Sequence, residues 1–137
     1  MTAPSELRRL FSLWRGLPVF DGAVRYRARL DRAELTLTTR HGAEATGHAE
    51  CLPGRYRILV SVGYDMADAH ATLLHEMAHV AAGWDRQFHT REWREVFASA
   101  AAQITGIQVA IPRGSHFAFH DLIRDCFATA RRARRTA

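Results

Sequence analysis

Apolar positions recur along the chain with two different periods, and the change of period marks out the elements. Leu7, Leu10, Phe11 and Trp14 stand at i, i+3, i+4 and i+7, which predicts a helix opened by Pro4-Ser5-Glu6 with Ser5 as N-cap and ended by Gly16 and Pro18. From Val24 to Leu30 the pattern alternates instead. Val24, Tyr26, Ala28 and Leu30 would share one face of a half-buried strand, with Arg25, Arg27 and Arg29 on the other. Glu34 to Thr39 alternates through Leu35 and Leu37 and is Thr-rich, which favours a second strand; Arg40-His41-Gly42 supplies a turn. Ala43 to Cys51 puts small residues on one face, suited to a strand lying close under a helix. Leu52-Pro53-Gly54-Arg55 has the type II pattern, and Tyr56 to Val62 reads as a strand buried on both sides. These segments predict a meander of three or four strands.

The helical period returns at Ala67 to Ala82, an Ala-rich run without Pro or Gly, with Asp65 or Asp68 placed as N-cap and Gly83 where a glycine would end it. After a loop from Trp84 to His89, Thr90 caps a helix through about Ile104, whose apolar face is Trp93, Val96, Phe97, Ala100 and Ala101. Gly106 breaks it, and Ile107 to Pro112 is an extended piece. Ser115 caps a last helix carrying Phe117, Leu122, Ile123 and Phe127, and Arg131 to Arg135 form a basic, frayed tail. The order of elements predicts one α+β domain over residues 1–137, with the basic tail at about 131–137. Its small three- to four-stranded sheet would pack with the N-terminal helix, the 67–82 helix and the helices that follow.

The 67–82 helix carries His75-Glu76-Met77-Ala78-His79, an H-E-x-x-H motif. One turn separates the two histidines, so both imidazoles reach one ion from the same face. Glu76 is rotated about 100° from His75, beside such an ion and not on it, where a general base should stand. With three protein ligands and one open position, zinc lowers the pKa of its water to about 7, and a nearby carboxylate can take the proton as that water attacks a carbonyl.

Three solutions compete for the third ligand. His89 follows His79 by ten residues; Asp85 follows it by six, near the metzincin spacing, although the glycine those enzymes place three residues after the second histidine comes one later, at Gly83. Glu92 or Glu95 would be the helix-borne carboxylate of a gluzincin, as in proteases of mobile elements that cleave a repressor. The set favoured is His75, His79 and His89 for the metal, with Glu76 as the catalytic base. Tyr64, His116 and His120 are candidates to stabilise an oxyanion, each weighed against an ordinary packing role. His116 and His120 are i, i+4 but lack a flanking Glu or Cys. His41 and His48 have no partner pattern, and His70 lies about 140° around the helix from His75, away from the ion.

Composition changes this picture little. A 137-residue chain can bury a core without staples, and no run of about 18 apolar residues predicts a membrane span. Met1 to Arg9 lacks the apolar segment of a secretory signal, so the expected location is cytoplasmic. Cys51 and Cys126 are scattered, read as buried small apolar residues, and are too few for a zinc ribbon. The net charge of +5 comes from Arg alone, since the chain has no Lys. That enrichment reads equally as phosphate contact or as GC-rich coding, and it makes the Arg-bearing strand face and the tail candidate DNA contacts. A non-catalytic, zinc-stabilised DNA-binding module is the competing class, but structural sites are usually closed by four ligands.

The run L-L-H-E-M-A-H-V-A-A-G-W, followed by H-T-R-E-W, resembles the SprT-like (Spartan-type) zinc metalloprotease family. His75, Glu76, His79 and His89 match its pattern position by position, and Trp93 matches the aromatic on the following helix. The likeness spans roughly residues 7 to 105, with the helix ending at Trp14, Phe20-Asp21-Gly22 and the strands in the family's order. It implies a zincin-like metalloprotease domain, a bound Zn2+, peptide-bond hydrolysis in a protein or peptide substrate, and DNA–protein crosslink repair as the setting. The cysteine-rich ribbon of many members and the long DNA-binding extensions of the eukaryotic ones have no counterpart in these residues.

Overall fold

The computed structural model describes residues 2–83 and 89–136. Among them lie α1 (Ala3–Trp14), α2 (Pro18–Asp21), α3 (Val24–Asp31), β1 (Ala33–Thr39), β2 (Thr46–Leu52), β3 (Arg55–Val62), α4 (Met66–Ala82), α5 (Arg91–Thr105) and α6 (His116–Thr136). The architecture is α+β, six helices around a three-stranded mixed sheet.

α1 buries Leu7, Leu10, Phe11 and Trp14 as its period requires. Its N-cap is Thr2, not Ser5: the Thr2 hydroxyl accepts from Ser5 N–H at 3.2 Å, which leaves Pro4 in the first turn, where a missing N–H costs nothing.

The expected strand at Val24–Leu30 is instead α3. Alternation over so short a segment cannot exclude a helix, and Arg, Ala and Leu are strong helix formers. Val24 is 85% exposed, whereas Tyr26 and Leu30, one turn apart, face inward. The three arginines consequently share no strand face. Arg25 bonds Glu92, Arg27 pairs with Asp21 and with Asp31 one turn on, and Arg29 donates to Ala81 O at 2.9 Å. The last contact sets a cation on the negative end of α4, a favourable place for it.

In the sheet the order is β1-β3-β2. β2 and β3 form the expected antiparallel hairpin, closed by Leu52 opposite Arg55 with Gly54 at φ +73°, as a type II turn demands. β1, however, pairs with β3 in parallel, Leu35 opposite Ile58 and Leu37 opposite Val60, so the sheet is not a meander. β2 begins at Thr46, later than expected. Residues just before it are engaged elsewhere: Gly42 O and Ala43 O accept from Tyr64 and Asp65 N–H, both at 3.1 Å. A Cβ on Gly63 would come within 2.5 Å of Ala43 O, so only glycine admits this crossing.

α4 is the hub. Apolar or small on nearly every side, it touches α1, α3, α5, α6, β2 and β3. Asp65 caps it by accepting from Asp68 N–H, and Gly83 leaves it at φ +108°. Thr90 caps α5 as expected, and Gly106 ends it in the left-handed region.

α6 buries Phe119, Ile123, Cys126 and Phe127, while Phe117 and Leu122 stay exposed. It also runs on through the Arg131–Arg135 segment, so that segment is helical, not frayed. Of the cysteines only Cys126 is buried; Cys51 is exposed. No helix among the described residues is long and apolar enough to cross a membrane.

Candidate metal centre

α4 sets His75 and His79 one turn apart with ring centroids 5.0 Å from each other, and His89, just before α5, brings its ring to 5.2 Å and 4.8 Å from them. One nitrogen from each of the three lies within 4.8 Å of the other two. His75 Nε2 and His89 Nε2 are 3.3 Å apart. Donors about 2.0–2.1 Å from a tetrahedral zinc are separated by about 3.3 Å, so this edge already has the length an ion would require.

Trp93 is the floor of the cluster. Its ring centroid lies 4.7 Å from His75, 5.0 Å from His79 and 4.5 Å from His89, nearly parallel to His79. Its Nε1–H donates to His75 O at 3.1 Å, tying α5 to α4 at that histidine. Arg94, one residue on, holds the backbone of His89: its guanidinium donates to His89 O, Pro112 O and Gly114 O at 3.3, 2.9 and 2.8 Å.

Burial controls the charge on these groups. It is the main cause that pushes His75 well below the ordinary imidazole range, His79 down to about 3 and His89 down to about 4; the neighbouring rings add to it. All three are therefore neutral at pH 7, the form that ligates metal. Glu76 is 5% exposed, with Oε1 at 3.6 Å from His75 Nε2, and burial pushes its carboxyl up to about 8.

Glu76 owes its place to Gly47. A Cβ on that residue would lie 2.8 Å from both Glu76 Cγ and Thr72 Cγ2, so the small face of β2 is what lets the strand lie against α4. Gly47→Ala is expected to displace Glu76 and to destabilise the fold by about 1–3 kcal/mol, the usual cost of overpacking. Thermal unfolding checks this against Gly114→Ala, where the added methyl meets nothing within 4 Å.

The histidines and Glu76 line a cavity of about 610 Å³ together with residues 44–49, which lead into and begin β2, and with Phe117 and Arg124. His116 stacks on His89 at 3.7 Å between centroids, and His120 reaches His75, Nδ1 to Nδ1, at 3.3 Å.

Other sequence candidates lie elsewhere. Tyr64 is 77% exposed and does not line the cavity. Glu92 is engaged by Arg25 and by the Tyr26 hydroxyl, both at 2.6 Å, and Glu95 pairs with Arg91. Asp85 lies outside the described residues. His70 is buried against Trp14 and Phe127, away from the cluster. Trp93 is on the apolar face expected of it, but its ring contacts with the three histidines, like the contact of His120 with His75, have no counterpart in the sequence expectations. The i, i+4 spacing of His116 and His120 was the available signal, but it gives no distance to a helix 45 residues earlier.

Comparison of the chain with protein-family models, curated proteins and solved structures finds no match.

Proposed function

We propose that this chain is a zinc-dependent endopeptidase with a zincin-like domain, in which His75, His79 and His89 hold the ion and Glu76 is the general base. One observation carries the reading: three neutral imidazoles and the buried Glu76 carboxyl beside them line one open cavity together with an edge strand. An all-imidazole donor set suits zinc, and no fourth His, Cys, Asp or Glu joins the ligand group among the described residues, which favours an open catalytic position over a closed structural one.

A zinc ion held by these histidines would supply Lewis acidity to a carbonyl and lower the pKa of a water to about 7. Glu76, held ionised by such a cation beside it, would take the proton released during attack and return it to the leaving amine. β2 offers main-chain donors and acceptors to an extended peptide, which favours a flexible or unfolded stretch of protein as substrate. The SprT-like resemblance of the motif points the same way. Within that resemblance, action on DNA-associated proteins and a cytoplasmic setting belong to the proposal, the former resting on the arginines at the end of α6.

Incubating the zinc-loaded protein with a library of unstructured fluorogenic peptides tests this. Cleavage is expected, lost on chelation, restored by zinc and blocked by a hydroxamate. A zinc-loaded protein that cuts no peptide and binds no hydroxamate would refute the hydrolase reading.

A further inference from the structure

Behind His75 runs a chain of polar contacts that the hydrolytic scheme does not use. His75 presents Nε2 to the other ligands, which leaves Nδ1 for a different partner, His120 Nδ1 at 3.3 Å. On the far side of that ring, His120 Nε2 lies 3.3 Å from Asp68 Oδ1. Asp68 is buried, and its second oxygen accepts from the N–H of Ala45, just before β2.

With Asp68 ionised and His120 neutral, one assignment of protons satisfies every contact. Asp68 as a carboxylate is an acceptor only, so His120 Nε2 must carry a hydrogen; in the neutral ring, Nδ1 then holds a lone pair. His75 must fill it by donating from Nδ1, which leaves His75 Nε2 unprotonated and aimed at the metal cluster. Burial works to raise the Asp68 pKa, but the hydrogen bonds from His120 and Ala45 outweigh it and hold the carboxyl below its ordinary value, consistent with the ionised form.

We propose that His120 and Asp68 are positioning residues that fix the tautomer and ring orientation of His75 for zinc. The relay joins α6, α4 and the residue that leads into β2, so His75 is keyed to the strand that lines the same cavity. This inference rests on the zinc-site reading above. Such outer contacts commonly change metal affinity by about 10–100-fold.

Two substitutions separate this role from packing. His120→Phe keeps a ring beside Phe97 but removes the lone pair; His120→Asn removes the ring but sets an amide oxygen close to the place of Nδ1. Zinc affinity is measured by chelator competition, with the d–d spectrum of the cobalt-substituted protein as a second readout. The expected result is a loss of about 10–100-fold for Phe with a shifted cobalt spectrum, and substantial recovery for Asn. Affinity for the Phe variant within about twofold of the parent, or an Asn variant weaker than Phe, would overturn the assignment.

If the Phe variant does not fold, His120→Ala against His120→Asn gives the same contrast. Asn is expected to bind zinc about tenfold more tightly than Ala, and equal affinities would overturn the relay. A parent protein that binds no zinc would defeat the metal-site reading itself. Normal zinc binding in the parent with no response at His120 would defeat only this inference.

Discussion

Glu76→Gln is expected to keep zinc bound and to slow peptide hydrolysis by about 10²–10⁴-fold, the range that a positioned acid–base group contributes. Gln fills the same space between α4 and Gly47, so the ligand cluster and the fold should persist, and zinc content measured beside turnover separates chemistry from metal loss. The variant also reports on burial. In the metal-free protein the Glu76 carboxyl is pushed from 4.5 up to about 8, so the folded chain binds this proton more tightly than the unfolded one. Its contribution to stability is full below pH 4.5 and is lost as pH rises toward about 8. Gln has no such proton. Relative to the parent, apo Glu76→Gln should gain thermal stability as pH rises through that window, and the comparison cancels the opposing histidine titrations common to both chains. A variant that cuts peptide as fast as the parent would remove Glu76 as the base; parallel stability curves would show that the carboxyl is not desolvated.

Local chemistry was legible from the sequence where neighbours along the chain decide it. The caps at Asp65 and Thr90, the turn at Pro53-Gly54 and the one-turn spacing of His75 and His79 all depend on residues within a few positions of each other. The small face of β2 was legible too, because only residues of that size admit a strand against a helix, and Gly47 is where the limit is reached. Val24–Leu30 misled because period 2 and period 3.6 agree over so few residues; the outcome depended on where α4 lay, with Arg29 drawn to the end of that helix. The parallel pairing of β1 with β3 was hidden because the intervening strand takes the outer edge, a choice made by crossing contacts at Gly63 that periodicity does not encode. His89 is a candidate ligand from spacing alone, and the contacts that bear on it are tertiary: Arg25 and Tyr26 hold Glu92, and Arg94 holds the backbone of His89. The His120 and Asp68 contacts join helices distant in sequence, and no local pattern announces them.

His79→Ala is expected to abolish stoichiometric zinc binding, because two imidazoles alone cannot hold the ion against solvent and buffer. In the parent, zinc at about 100 times its dissociation constant should stabilise the folded state by about 2.7 kcal/mol. The variant should show no zinc-dependent rise in Tm, and retained stoichiometric zinc would overturn the ligand assignment. The pH dependence of binding in the parent is a sharper test of the same geometry. Protons compete with metal only once the ligands can be protonated. An ordinary imidazole at 6.5 would begin to yield its metal just below neutral pH, but His79 is pushed down to about 3 and His89 to about 4. Lowered folded-state values mean that the unfolded chain takes up protons first as pH falls below 6.5, so acid destabilises the fold while the folded cluster remains neutral. Zinc should therefore stay on the folded protein down to about pH 5, with loss there coinciding with unfolding and not preceding it. Release near pH 6.5 from a chain that is still folded would mean that His79 and His89 are solvated as ordinary surface imidazoles, without the Trp93 floor beneath them.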